Sequence, residues 1–216
     1  MSRKKSPPPR LRVRGLTRRF GDVDVVKGLD LDLKAGAAVA LVGRNGAGKS
    51  TVLRCVSAAD VPTAGTVELD GVKVEERSPL TRRDMAVVMD DMDFFPDLSV
   101  VEHLDLFARA HAVPDAEAVV DAVLHEVRLV PQSGQLPGTL SSGQRRRLAL
   151  ASAFVRPRKL LVLDEPEARL DSAGLEWLVE RLRREKADGL GILLASHDAS
   201  LVEAVADSVL DLDRRS

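Results

Sequence analysis

Gly43-Arg44-Asn45-Gly46-Ala47-Gly48-Lys49-Ser50 constrains this chain more than any other stretch. It fills every fixed position of the phosphate-loop pattern, a glycine-rich turn ending in lysine and a hydroxyl residue. Ala37 to Val42, just before it, is almost wholly apolar, as a buried central strand is. Lys49 to Val56, just after it, sets Val52, Leu53 and Val56 at helical spacing. The order strand, glycine loop, helix gives the loop its chemistry. Glycines let the backbone wrap closely and turn its N–H groups toward phosphate oxygens. The helix adds the positive end of its dipole. Lys49 is then placed for the β- and γ-phosphates and Ser50 for Mg²⁺, with Thr51 a second hydroxyl candidate. ATP binding is the expectation.

A second stretch supplies the acids. Lys159-Leu160-Leu161-Val162-Leu163-Asp164-Glu165-Pro166 feeds an apolar run into two carboxylates. An acid at the end of a buried strand points into the crevice where ligands collect. Asp164 is placed to hold Mg²⁺ directly or through water, and Glu165 to act as general base on the attacking water. A strand ending in a solvated acidic turn would look the same alone; the glycine loop upstream favours the catalytic reading. His197 follows a third apolar run, Gly191 to Ala195, and is placed to contact the γ-phosphate or orient water, with a plain surface histidine as the alternative. His103, His111 and His125 lie in helical stretches and read as incidental.

The remaining pattern is α/β. Residues 11–35 alternate as strands, and Asp70-Gly71 marks a hairpin between Thr66–Leu69 and Val72–Val74. Ala86 to Met89 is a further strand. Between residues 100 and 129 the period turns helical, broken near Pro114. Leu140 to Phe154 reads as a loop and a helix, Leu175 to Lys186 and Leu201 to Ala206 as helices, and Ser208 to Leu212 as a closing strand. Apolar strands alternating with helices predict a sheet covered on both faces. With 32 basic and 33 acidic residues the chain has a formal charge of -1, which gives no general reason to expect a nucleic-acid partner. One cysteine, Cys55, excludes a disulfide within the chain. No apolar run approaches the roughly 20 residues of a membrane helix. Residues 1–10 are basic and proline-rich with no apolar segment behind them, and read as a disordered tail rather than a secretory signal. A lipid-surface or nucleic-acid role for that tail stays open.

Leu140-Ser141-Ser142-Gly143-Gln144, shortly ahead of Asp164-Glu165, makes the resemblance specific. The chain resembles the ATP-binding cassette (ABC) ATPases, the nucleotide-binding subunits of ABC transporters, over about residues 11–213. The resemblance implies a P-loop NTPase of ABC type: a mixed sheet core, an antiparallel β part, and an inserted helical subdomain over about residues 97–156. It implies a head-to-tail pair, expected as a homodimer, with each ATP between the glycine loop of one unit and Ser141, Ser142, Gly143 and Gln144 of the other. Asp171 matches the dimer-contact loop and His197 the switch histidine. Phe20, 29 residues before Lys49, stands where the family often stacks an aromatic on adenine, or else is a core aromatic.

Two departures stand out. Ser142 replaces the commoner second glycine of the signature. Val87 to Val100 looks like the family's glutamine loop, yet no glutamine occurs between residues 1 and 131, and Asp90 occupies that position. Asp90 is expected near Mg²⁺, taking over part of the glutamine's task, with Asp91 the alternative if the register slips by one. Catalysis is therefore expected from Glu165, His197 and Lys49, and metal binding from Ser50, Asp164 and Asp90. The expected function is the ATPase of a transporter, leaning to export, peripheral on the inner face of the cell membrane through separate permease subunits. The alternative is a soluble ABC ATPase of cofactor assembly or macromolecule remodelling.

Overall fold

The computed structural model describes residues 8–215; residues 1–7 of the expected tail lie outside it. Arg10, the last residue of that expected tail, is fixed: its guanidinium donates to both oxygens of Asp70 at 2.8 and 2.7 Å.

Among the described residues, nine strands form two sheets. β1 (Leu11–Phe20), β2 (Val23–Leu33), β4 (Ala64–Leu69) and β5 (Val72–Lys73) pair antiparallel in the order β2-β1-β4-β5. β3 (Ala38–Val42), β6 (Met85–Val88), β7 (Leu160–Asp164), β8 (Gly191–Ala195) and β9 (Ser208–Asp211) form a parallel sheet in the order β6-β7-β8-β3-β9. The α/β core and the antiparallel part are as expected, and the two kinds of pairing occupy separate sheets.

Period-two alternation decides what covers each face of the parallel sheet. Val39, Leu41, Leu160, Val162 and Leu193 pack with α1 (Lys49–Val56) and the antiparallel sheet. Ala38, Ala40, Leu161, Leu163, Ile192 and Leu194 face the other way. They pack with α3 (Val100–Ala110), α4 (Ala116–Glu126), α5 (Ser142–Phe154), α6 (Ser172–Ala187) and α7 (Ala199–Val205). Both faces are buried, so β7 and β8 carry no polar residue before Asp164. α5 is enclosed almost all round from Leu148 to Phe154. The helices of the inserted segment therefore share one apolar cluster with the sheet.

Three local readings change. α2 (Pro79–Asp84) was not foreseen; Ser78 caps it and Pro79 opens it. α6 begins at Ser172, earlier than the apolar pattern suggested, because Asp171 Oδ1 accepts the Gly174 N–H at 2.8 Å. His103 is not incidental: it is buried, accepts the Phe95 N–H at Nε2 (3.0 Å) and bonds the Ser99 carbonyl through Nδ1 (2.8 Å), pinning the loop before α3.

Candidate functional site

Register brings the predicted residues together. Leu41 of β3 and Asp164 of β7 are both level with Ala195 of β8, and Val88 of β6 is level with Leu163. Four strands therefore end on one edge. The glycine loop, the acidic pair, the His197 loop and the Asp90 loop all leave from there, the position where open α/β sheets bind ligands.

The glycine loop is tightly seated. Gly48 lies at φ 93, and a Cβ there would sit 2.9 Å from the Val25 carbonyl oxygen, so a side chain meets both backbone strain and a backbone wall. Lys49 is buried and arches back to the Gly43 and Arg44 carbonyls at 2.8 and 3.3 Å. Asp213 braces the loop from the far end of the chain, accepting the Arg44 N–H at 2.9 Å, a contact nothing in the sequence announced. Ala47 donates to the Arg44 carbonyl at 3.1 Å, closing the turn over Asn45 and Gly46. Ser50 and Thr51 sit in the first turn of α1.

Asp164 is buried, and burial raises its pKa, with the Ser50 hydroxyl opposing and the Glu165 and Asp90 charges adding. Its Oδ1 has no hydrogen-bond partner. Glu165 follows in a left-handed conformation, φ 45, and its N–H donates to the Ala195 carbonyl at 2.8 Å. That turn brings the Glu165 carboxylate to His197, with Nδ1 2.8 Å from Oε2. Glu167, which sequence reasoning passed over, is also there. It is buried, accepts the Ser196 hydroxyl at 2.5 Å, and offers a ligating oxygen within 4.8 Å of those of Glu165 and His197.

Arg146 is the largest omission from the sequence reading. It looks like one of three surface arginines, yet it is buried. Its guanidinium donates to the carbonyls of Asp164 and Glu165, both at 2.5 Å, and of Pro166 and Met89, both at 3.2 Å. Burial lowers its pKa and the Asp90 carboxylate pushes it back up. The only advance signal was the helical period of α5, which turns Arg146 inward with Leu150.

Asp90, expected near Mg²⁺, is paired with an arginine. Arg169 holds both its oxygens, Nη1 to Oδ1 at 2.5 Å and Nη2 to Oδ2 at 3.3 Å, and this pairing lowers its pKa. Asp91, the alternative, is tied to Arg54 at 2.5 Å.

Ser141 caps α5 and exchanges hydrogen bonds with Gln144, so that side chain is engaged within its own helix. Ser141 and Ser142 are exposed. A Cβ on Gly143 would lie 2.9 Å from the Arg169 carbonyl oxygen. Asp171 is exposed and accepts Arg147 at 2.8 Å. Phe20, at the end of β1, is about half exposed rather than a core residue, with the Arg18 guanidinium carbon 4.3 Å from its ring centroid. A cavity of about 260 Å³ beside the glycine loop is lined by Asp24, Val25, Val26, Lys27, Ala47 and Leu212 among others; Phe20 is not among them.

The model of the family described as ABC transporter matches residues 26–168. The chain belongs to this family. It is 37% identical over 215 residues to the aliphatic sulfonates import ATP-binding protein SsuB of Pseudomonas putida, covering 95% of this chain and 76% of that protein. It is 35% identical over 219 residues to the Nod factor export ATP-binding protein I of Cupriavidus pinatubonensis, covering 96% and 67%. A solved ATP-binding subunit of an ABC transporter superposes with TM-score 0.87 at 29% identity, over 93% of this chain and 85% of that one. A dimeric ATP-binding cassette in a post-hydrolysis state, bound to ADP and Pi, superposes with TM-score 0.84 at 23% identity over 93% of both chains. The protein is thus an ATP-hydrolysing subunit of an ABC transporter. Family membership implies Mg²⁺-dependent ATP hydrolysis. Asp164 fits the metal, because its buried Oδ1 lacks a partner and hard oxygen donors suit Mg²⁺.

Proposed function

We propose that this ATPase subunit works as a head-to-tail pair, closing two ATP molecules between opposed glycine loops and signature loops to drive separate permease subunits. The observation that carries the reading is the Glu165–His197 contact at 2.8 Å on the edge that also holds Lys49, Ser50 and Asp164. Lys49 trades its two carbonyl contacts for the phosphates. Ser50 and Asp164 would hold Mg²⁺, which would supply positive charge to the phosphate oxygens. Glu165 accepts the proton of the attacking water, and His197 orients the carboxylate and reaches the γ-phosphate. Ser141, Ser142 and Gly143 complete the partner's site with the N-terminus of α5. Phe20, exposed at the end of β1, is the residue we assign to the adenine face.

The pair is supported by the dimeric relative of the same fold. Among the described residues no helix is long and apolar enough to cross a membrane, which fits a subunit held at the inner face of the membrane by a permease. The helical subdomain over about residues 97–156, with the exposed Phe95 before it, is the surface we assign to that docking. Relatives named for import and for export match at 37% and 35% identity, so we place cargo and direction in the membrane subunits.

The test is Glu165→Gln, which keeps the shape but cannot take a proton. ATP binding by calorimetry should persist, turnover should fall at least about a hundredfold, and light scattering should show an ATP-dependent dimer. Lys49→Ala should abolish both binding and dimer. A Glu165→Gln chain that turns over normally, or stays monomeric with ATP bound, refutes the arrangement.

A further inference from the structure

Arg169 is a charged residue at the nucleotide edge that the roles above leave without a task. Its backbone is left-handed at φ 66, a conformation that strains a non-glycine residue. Its carbonyl is pressed against Gly143, at 2.9 Å from where a Cβ would sit. Its side chain meets Asp90 through two parallel N–H···O contacts, the fork geometry in which guanidinium and carboxylate pair best. Both side chains are close to half exposed, so the pair adds little to stability. A strained backbone serving a weak surface ion pair is poorly explained by folding alone.

What the pair offers is chemistry. A glutamine side chain presents one acceptor and one donor group with no net charge. Asp90 ionised accepts only, whereas a guanidinium only donates, with five N–H groups. Two of those face Asp90, leaving others for a phosphate oxygen or water. Together the two residues are neutral and carry both functions. Arg146 fixes the frame around them by gripping the carbonyl of Met89, next to Asp90, and those of Asp164 and Glu165 in the turn that leads toward Arg169. The same guanidinium bonds Met89, next to Asp90, and the carbonyl of Asp164, so it ties the Asp90 loop to the turn of the metal-holding acid.

We infer that Asp90 and Arg169 act as a split amide: the carboxylate supplies the acceptor and the guanidinium the donor that a single glutamine would present to the attacking water and the metal's hydration shell. This rests on reading Asp90 as the glutamine-loop residue. Arg169 is thereby a positioning residue, and it also ties that loop to the segment entering Asp171.

A rescue experiment tests it, with wild type, Arg169→Ala, Asp90→Gln and the double variant. ATP hydrolysis is followed across a Mg²⁺ titration, and ATP affinity is measured by calorimetry with and without Mg²⁺. Arg169→Ala leaves the Asp90 carboxylate without its guanidinium donor. Its kcat should fall about tenfold with KM changed less than about threefold, and Mg²⁺ should enhance ATP affinity less than in wild type. Asp90→Gln should restore the Arg169→Ala chain to within about threefold of wild type in both readouts, because one amide again supplies donor and acceptor. If Arg169→Ala unfolds, Arg169→Lys carries the same comparison, since lysine keeps the charge and loses the fork. A double variant as slow as Arg169→Ala overturns the split amide, as does Arg169→Ala turning over like wild type. If Asp90→Gln changes neither readout in either background, the glutamine-loop reading falls and the inference with it. Wild type that binds ATP without hydrolysing it contradicts the ATPase assignment instead.

Discussion

Asp164 is a site residue whose chemistry the fold alters. It is buried at the end of β7 with Oδ1 unpartnered, and burial raises its pKa. The native chain then holds that proton more tightly than the unfolded chain does. Above the folded pKa the ionised carboxylate costs stability, and the cost shrinks as pH falls through the folded pKa toward the ordinary carboxylate range. Asp164→Asn should therefore raise the melting temperature of the nucleotide-free protein by a few degrees near neutral pH. The gain should fade as the pH is lowered, and Mg²⁺-dependent ATP binding should be lost. Melting curves at several pH values check the first part and calorimetry the second; a variant less stable at neutral pH contradicts it. The site thus gives up stability in the empty state for affinity in the loaded one.

At the scale of the element, α5 ties signature and core together. Its first turn is fixed by the reciprocal Ser141–Gln144 bonds, and its interior is packed on every side. Ser141→Ala removes the cap acceptor and should cost about 1 kcal/mol in chemical denaturation. Gly143→Ala meets the Arg169 carbonyl, a backbone atom that cannot swing aside. It should cost about 1–2 kcal/mol and displace the Asp90 partner, lowering turnover more than Ser141→Ala does. A Gly143→Ala chain with wild-type stability and turnover would show that the turn has room to shift. That α5 would be a helix was readable from its capping sequence and period. The same spacing, Ser141 three residues ahead of Gln144, marks Gln144 as part of the cap.

Across the whole molecule, one guanidinium joins three parts. Arg146 on α5 bonds the Asp164–Pro166 turn and Met89, where β6 enters the Asp90 loop. Replacing it with Met leaves these carbonyls without their donor and should cost roughly 3 kcal/mol or more. Hydrogen exchange should rise in the Asp90 loop and after β7 together, not in the glycine loop. Protection lost only around α5 would mean that Arg146 packs its own helix and couples nothing.

The sequence alone determined the phosphate loop, the acidic pair, His197 and nearly all the strands, because each rests on local spacing: period two, period 3.6, or a fixed run of glycines. It also placed Asp90 where a glutamine was expected. Tertiary structure decided the rest. Arg169 reaches Asp90 across 79 positions, Arg146 reaches Met89 across 57, and Asp213 reaches Arg44 across 169. Glu167 is drawn in only because β7 and β8 pair in a register that sets Asp164 level with Ala195. Charge signs in a sequence do not name their partners. Partners are set by which strand ends share an edge, and that is fixed by burial of both faces of the parallel sheet.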